Sequence, residues 1–206
     1  MTKKYNPKTI DMENKATSLQ RMGAKNNTSK RERNDFYATD PNAIDLLLKS
    51  VQPKGKIYEC CCGQGHLSER LKQRGFSVIS TDLVNRGYGC GGVDFLKLDK
   101  LPDGVHTICT NPPYGISTDI IEHALNLMSN GDEMYMFLKT LYLEGSERYN
   151  RIYSQYPPYK VLQFVKRVTC AKNADFVNNA GGGYVSYMWF CWRKGYVGNT
   201  ILEWLL

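Results

Sequence analysis

Residues 56–82 read KIYECCCGQGHLSERLKQRGFSVISTD, and the order of residue types in them spells out one structural unit. The run KIYECCC is short, apolar and suited to a buried strand. Gly63 and Gly65 follow it, where the backbone can turn sharply and approach a neighbour closely. In HLSERLKQRG, Leu67 and Leu71 fall on the same face of a helix, and Gly75 is a glycine of the kind that ends one. FSVISTD is a second strand. Strand, glycine loop, helix and strand make a βαβ unit, and its strands run parallel because the helix returns the chain to the starting edge.

The pattern continues outward on both sides. Upstream, DPNAIDLLLKSV has an N-cap at Asp40, Pro41 at the first helical position, and Ile44, Leu47, Leu48 and Val51 at helical spacing. Downstream come a Gly-rich loop (RGYGCGG), VDFLKLD, the strand VHTIC, the helix STDIIEHALNLM and the strand EMYMFLK. Residues 141–155 look helical, and YKVLQFVKR and YVSYMWFCW are two late strands close enough to pair antiparallel. Alternation of this sort predicts an α/β domain built on a mostly parallel sheet.

At 206 residues the chain supports one sizeable core. The expected organisation is a basic, flexible tail over 1–33 and a folded domain over 34–206. Almost all of the net charge of +7 sits at the start: residues 1–34 hold nine Lys/Arg against three Asp/Glu, the remainder 18 against 17. Such an arm suits contact with phosphates, and a solvated leader with no partner has the same composition. No stretch approaches the roughly 20 apolar residues that cross a bilayer, and MTKKYNPKTIDMENK has no apolar signal region. No membrane partner and a cytoplasmic location are expected. Cys60, Cys61 and Cys62 are adjacent, and Cys90, Cys109, Cys170 and Cys191 stand singly with no C-x-x-C spacing. They read as small buried hydrophobes in a reducing compartment, and no metal is expected.

In a parallel α/β sheet, ligands bind beyond the carboxyl ends of the strands. The first strand ends in Glu59-Cys60-Cys61-Cys62-Gly63-Gln64-Gly65, and the second ends in Asp82, a carboxylate able to accept both hydrogens of a ribose diol. A plain tight turn accounts for G-x-G equally well. The loop lacks the third glycine of a dinucleotide fingerprint and has no G-K-[ST], which leaves a nucleoside without phosphates as its ligand. Asp94-Phe95, a carboxylate beside an aromatic ring, can hold its adenine, or be an ordinary strand end.

After VHTIC stands Thr110-Asn111-Pro112-Pro113-Tyr114-Gly115. A residue before proline is pushed into the extended region, and neither proline has an N–H to donate. If a planar amino group enters, the Asn111 side-chain oxygen and the Pro112 carbonyl can each accept one of its hydrogens, and Tyr114 can stack on the ring that bears it. Acceptors out of the ring plane weaken conjugation of the nitrogen lone pair, so a poor nucleophile improves. Alignment with an activated methyl carbon then supplies much of the acceleration. A rigid turn is the alternative reading of the same four residues.

On these residues the sequence resembles the class I S-adenosylmethionine-dependent methyltransferases, and within them the amino (N6-adenine) DNA methyltransferases, especially small forms typical of phages and prophages. The resemblance runs from about Asn34 to the C-terminus. It implies a Rossmann-like fold, with a mostly parallel seven-stranded sheet, an antiparallel C-terminal strand and helices on both faces. It makes Asn111, Pro112, Pro113 and Tyr114 the catalytic tetrapeptide. Asp35-Phe36-Tyr37-Ala38-Thr39 looks like the family's D-F-Y-x-T segment, which implies that Phe36, Tyr37 and Thr39 contact the methionine end of S-adenosyl-L-methionine. The same resemblance gives Glu59, Gly63, Gly65, Asp82, Asp94, Phe95 and Asn111 to the cofactor site.

The activity so implied is methylation of the exocyclic N6 amino group of adenine in DNA, with the base flipped out or the substrate single-stranded. Tyr142 and Phe176 are further aromatics for holding such a base, and Arg148, Arg151, Lys166 and Arg167 are candidates for phosphate contact. The competing readings are N-methylation of RNA bases, N-methylation of a protein glutamine, and a non-catalytic S-adenosylmethionine-binding phage factor. Three successive cysteines depart from the family's usual loop, and there is no room for a separate target-recognition domain. The oligomeric state is not legible.

Overall fold

The computed structural model describes residues 37–168, 170–172 and 185–206, with the backbone alone at 37, 171 and 172. The expected tail over 1–33, Phe36 and Phe176 lie outside the described residues. The chain divides into Met1–Arg33 and Asn34–Leu206, and the fold below is that of the second unit.

The βαβ unit forms as its residues dictate: β2 (Lys56–Glu59), α2 (His66–Gln73) and β3 (Val78–Asp82), with the two strands parallel. Two glycines at positive φ, Gly63 at 54° and Gly65 at 82°, make the turn between β2 and α2. Ahead of the unit are β1 (Tyr37–Thr39) and α1 (Asn42–Leu47). The Asp40 carboxylate accepts the Asn42 N–H at 2.9 Å, but the N-cap is Pro41, one residue later than expected, and the helix ends at Leu47, short of Val51. After β3 come β4 (Cys90–Gly91), β5 (Val105–Thr110), α3 (Ser117–Leu127) and β6 (Glu133–Lys139). Residues 141–155 are helical in pieces, namely a 3-10 turn Thr140–Leu143, then α4 (Ser146–Arg148) running into a π turn Tyr149–Tyr153. The chain finishes with β7 (Lys160–Phe164), β8 (Cys170–Lys172), β9 (Tyr187–Arg193) and β10 (Ile201–Leu205).

The main sheet has the order β10-β7-β9-β6-β5-β2-β3-β4. Only β9 runs against its neighbours, pairing antiparallel with β6 and β7, while the other pairs are parallel. The predicted antiparallel pairing of the two late strands is therefore present. The sheet carries eight strands because Ile201–Leu205 adds a parallel edge to β7. From β2 the chain builds outward to β3 and β4, then returns to the other side of β2 for β5. The carboxyl ends of β2 and β5 thus flank a topological switch point, the place where open α/β sheets leave a crevice for ligands. A separate two-stranded sheet pairs β1 with β8, antiparallel.

Strand β6 shows why the sheet is covered on both faces. Met134, Met136 and Leu138 belong to one hydrophobic cluster, with Ile120, Ile121, Ala124 and Leu125 of α3. Tyr135 and Phe137 belong to the other, with Ile44 and Leu47 of α1 and Leu67 and Leu71 of α2. Alternate residues thus serve opposite layers, and a strand buried on both sides reads as a continuous apolar run. Trp189, fully buried in β9, donates its indole N–H to the Ala43 carbonyl at 3.0 Å, which ties α1 to the sheet. The cysteines are all free; Cys60, Cys62, Cys109 and Cys191 are buried as expected, but Cys90 is exposed on the short edge strand β4. No helix among the described residues is long and apolar enough to cross a membrane.

Candidate functional site

Because β3, β2 and β5 are adjacent and parallel, Asp82, the glycine loop and Asn111 leave the sheet at the same end. Each is built differently. Gly63 donates its N–H to the Asp82 carboxylate at 2.8 Å, and Val84 donates to the other carboxylate oxygen at 2.8 Å. A carboxylate has roughly four acceptor positions, so Asp82 holds the loop and keeps capacity for the hydrogens of a diol. That fits the nucleoside end of S-adenosylmethionine.

Gly65 serves a neighbour within the chain. A Cβ there would come within 2.4 Å of the Tyr88 ring, so the missing side chain and the left-handed φ together let Tyr88 lie on the loop. The Tyr88 hydroxyl is tied to Glu69 at 2.6 Å and to Lys72 at 2.8 Å. Tyr88 sits in the Gly-rich stretch after β3, where the glycine content draws attention away from it.

Glu59, at the end of β2, is buried and accepts a hydrogen bond from Ser68, whose oxygen is 2.6 Å from that of Ser80. Burial pushes its carboxyl up to about 8, against the opposing Ser68 bonds. Its folded-state pKa therefore lies above its unfolded value, so its contribution to stability is complete below about pH 4.5 and is lost as pH rises through about 8. Glu59→Gln keeps an acceptor for Ser68 and removes the titration. In urea unfolding, the variant should gain on the order of 4 kcal/mol relative to the parent between pH 4 and pH 9. Parallel pH profiles for the two proteins would show that Glu59 does not titrate in this way.

Asp94 and Phe95 follow β4. The Asp94 carboxylate caps a 3-10 turn by accepting the Leu96 N–H at 3.2 Å and remains partly open. The Phe95 ring is buried, edge-on to His123 at 5.2 Å and 6.0 Å from Tyr58. Its ring is core packing, which leaves Asp94 as the group of that pair with a surface to offer.

The tetrapeptide lies at the mouth of β5, with Pro112 buried, Pro113 exposed, and Asn111 and Tyr114 half-buried. The Asn111 amide nitrogen donates to Thr39 Oγ1 at 2.9 Å and approaches Cys170 Sγ at 3.4 Å. The Tyr114 hydroxyl is 3.8 Å from the same sulfur. Tyr114 stacks on Tyr187 with centroids 6.4 Å apart and planes at 26°, and Tyr187 stacks in turn on Phe137 at 5.0 Å. The Lys139 ammonium lies 4.4 Å from the Tyr114 ring centre. Burial drives the Tyr114 phenol far above its ordinary range, so it is neutral at every working pH.

Thr39 is thus brought to Asn111, and Tyr37 joins it through the backbone of β1. Cys170, Tyr187 and Lys139 are the neighbours that sequence reasoning missed. Cys170 and Tyr187 lie far along the chain from the motif, and Lys139 ends β6, which pairs with β5. Its place after a buried strand beside the motif strand was the available signal.

Other candidates are occupied elsewhere. The Tyr142 ring is buried, edge-on to Phe190 at 5.8 Å, with its hydroxyl 2.9 Å from Thr118. Arg148 donates to the Tyr142 and Leu141 carbonyls at 3.0 and 3.3 Å. Arg151 is held by Asp119 at 2.7 Å, Glu147 at 3.1 Å and Glu122. Arg148 thus braces the turn after β6, and Arg151 ties the helical segment that follows to Asp119 and Glu122 of α3. Among the described residues, no three His, Cys, Asp or Glu side chains come together to hold a metal.

No family model matches the sequence, and none of the curated proteins does. Solved structures do resemble it. A candidate class I S-adenosylmethionine-dependent methyltransferase from Listeria monocytogenes superposes with a TM-score of 0.56 at 12% identity, over 93% of this chain and 71% of that one. A candidate hemolysin from Lactococcus lactis gives 0.54 at 11% identity, over 78% and 91%. The glycopeptide N-methyltransferase MtfA, solved with S-adenosyl-L-homocysteine, gives 0.50 at 12% identity, over 81% and 94%. At such identities the likeness shows the fold, which is the Rossmann-like class I methyltransferase fold with a mixed, mostly parallel sheet.

Proposed function

We propose that the chain is an S-adenosylmethionine-dependent N-methyltransferase whose substrate is a planar amino group, with the N6 amino group of adenine in DNA placed first. The observation that carries this reading is Asn111-Pro112-Pro113-Tyr114 at the end of β5, one strand from the glycine loop and two from Asp82. When bound, S-adenosylmethionine supplies a methyl group activated by a sulfonium. Asp82 would hold its ribose diol, and Asp94 its adenine.

The chain's own part is to bind and aim. The Asn111 amide oxygen and the Pro112 carbonyl accept the two amino hydrogens, and Tyr114 supports the ring. No base is needed in advance, because the nitrogen becomes acidic as its new bond forms, and the proton then leaves to water. Positioning contributes most of the acceleration. For a base to stack on Tyr114, the Lys139 side chain must swing off the ring, a rotamer change that a long flexible chain makes readily. Lys139 then stands at the rim as a cation beside the phosphates of a nucleic acid. The basic excess in residues 1–34 favours the same partner class.

A glutamine amide presents the same planar NH2, and RNA bases share the adenine edge. The deciding experiment incubates the protein with methyl-labelled S-adenosylmethionine and DNA, RNA or protein, then digests the product. N6-methyladenine from DNA, identified by mass spectrometry, is the expected result. Label in protein or RNA alone would transfer the reading to those substrates, and cofactor binding with no transfer at all would favour a sensor.

A further inference from the structure

Strands β1 and β8, which no sequence signal joined, form a sheet of their own. In its register Thr39 stands opposite Cys170, and the two side chains meet at one atom. The Asn111 amide nitrogen is 2.9 Å from Thr39 Oγ1 and 3.4 Å from Cys170 Sγ. Thr39 is buried, and the Tyr114 hydroxyl lies 3.8 Å from the same sulfur.

A primary amide carries its two hydrogens on nitrogen and its acceptor positions on oxygen. The Thr39 hydroxyl and the Cys170 thiol can each accept or donate, and with both accepting from the nitrogen they fix which end of the amide points where. Turned over, the amide would present N–H groups to an incoming amino group, and hydrogens would face hydrogens. We propose that Thr39 and Cys170 are positioning residues for methyl transfer, holding the Asn111 nitrogen between them so that the amide oxygen, which is shielded from solvent, meets the substrate amine when the base enters. The proposal rests on the role given to Asn111 above. Burial raises the Cys170 thiol against the opposing bonds from Tyr114, Asn111 and Thr39 and the charge of Lys139. A neutral thiol accepts the amide hydrogen without competing for the methyl group as a thiolate would.

The test uses the full chain with four substitutions. Thr39→Val keeps the shape and removes the acceptor, and Thr39→Ser restores it; Cys170→Ala and Cys170→Ser do the same for the sulfur. Three quantities are read: the Asn111 side-chain amide resonances, identified by their loss in Asn111→Ala; kcat and KM; and calorimetric affinity for S-adenosyl-L-homocysteine. Thr39→Val should move the amide resonances and lower kcat by about 10- to 100-fold, by more than any loss of S-adenosyl-L-homocysteine affinity. Thr39→Ser should return both towards the parent, and Cys170→Ala should act in the same direction more weakly than Thr39→Val.

Unmoved resonances in Thr39→Val would overturn the proposal, as would a Thr39→Ser protein as slow as Thr39→Val. Equal losses of S-adenosyl-L-homocysteine affinity and kcat would make Thr39 a cofactor contact instead. If the parent protein methylates nothing, the reading of the reaction fails, yet the resonances still decide whether Thr39 and Cys170 hold the amide. Should Thr39→Val not fold, the serine variants and Cys170→Ala decide by the same signals.

Discussion

Asn111→Ala should lower methyl transfer by on the order of 10²- to 10³-fold, the usual loss when one oriented polar group is removed from a reacting centre. The side chain is half-buried at the end of β5, held by Thr39 and Cys170. In the proposed reaction it would therefore meet the amino group in a fixed orientation. Truncation would then remove one of the two proposed acceptors for the amino hydrogens and leave the Pro112 carbonyl alone. The loss should fall on kcat, because the strengthened contact belongs to the transition state. Binding of S-adenosyl-L-homocysteine, measured by calorimetry, should persist, since Asp82 and the glycine loop are untouched. Transfer at the parental rate would remove Asn111 from the chemistry, and with it the proposed reaction.

Asp82→Ala should act on the cofactor instead. The carboxylate accepts backbone hydrogen bonds from Gly63 and Val84, both at 2.8 Å. Hydrogen bonds to a charged group contribute about 1.5–3 kcal/mol each. Their removal would loosen the glycine loop and take away the proposed diol acceptor together, so affinity for S-adenosyl-L-homocysteine should fall by about 10²-fold or more. Thermal melting should fall as well, because two N–H groups lose their partner. Asp94→Ala is the internal comparison, as Asp94 caps one short turn with a 3.2 Å bond and pairs with the exposed Lys97 at 3.5 Å, and its effect on melting should be much smaller. Unchanged affinity in Asp82→Ala would place the ligand elsewhere.

Much of the fold was legible because it rests on local periodicity. Leu67 and Leu71 mark the buried face of α2, and the run EMYMFLK marks a strand covered on both sides. The late strands could be paired because they follow one another closely near the end of the sequence. Residues Ile201–Leu205 were harder: Ile201, Leu202 and Trp204 are at least half exposed, so this edge strand lacks the alternation of a half-buried one. The short β1 and β8 carry three residues each, too few for any periodic signal.

The candidate site divides in the same way. Asn111, Asp82 and the glycines announce themselves because proline, glycine and a terminal carboxylate restrict the backbone or its chemistry at their own positions. Arg148, Arg151 and Tyr142 looked available because sequence cannot show that carbonyls, three carboxylates and the Phe190 ring already claim them. Cys170 was expected to be a small buried hydrophobe, and its thiol instead stands beside Asn111.

Sequence alone determined the alternation of strand and helix and the positions of the strand ends where a ligand would lie, since those follow from the spacing of apolar residues and from backbone restrictions within a few positions. Tertiary structure decided which groups surround Asn111 and Tyr114. Thr39, Lys139, Cys170 and Tyr187 come from four strands, and their meeting depends on sheet order and on the register of β1 against β8. Register is set by the packing of whole strands, so no local pattern in the chain encodes it.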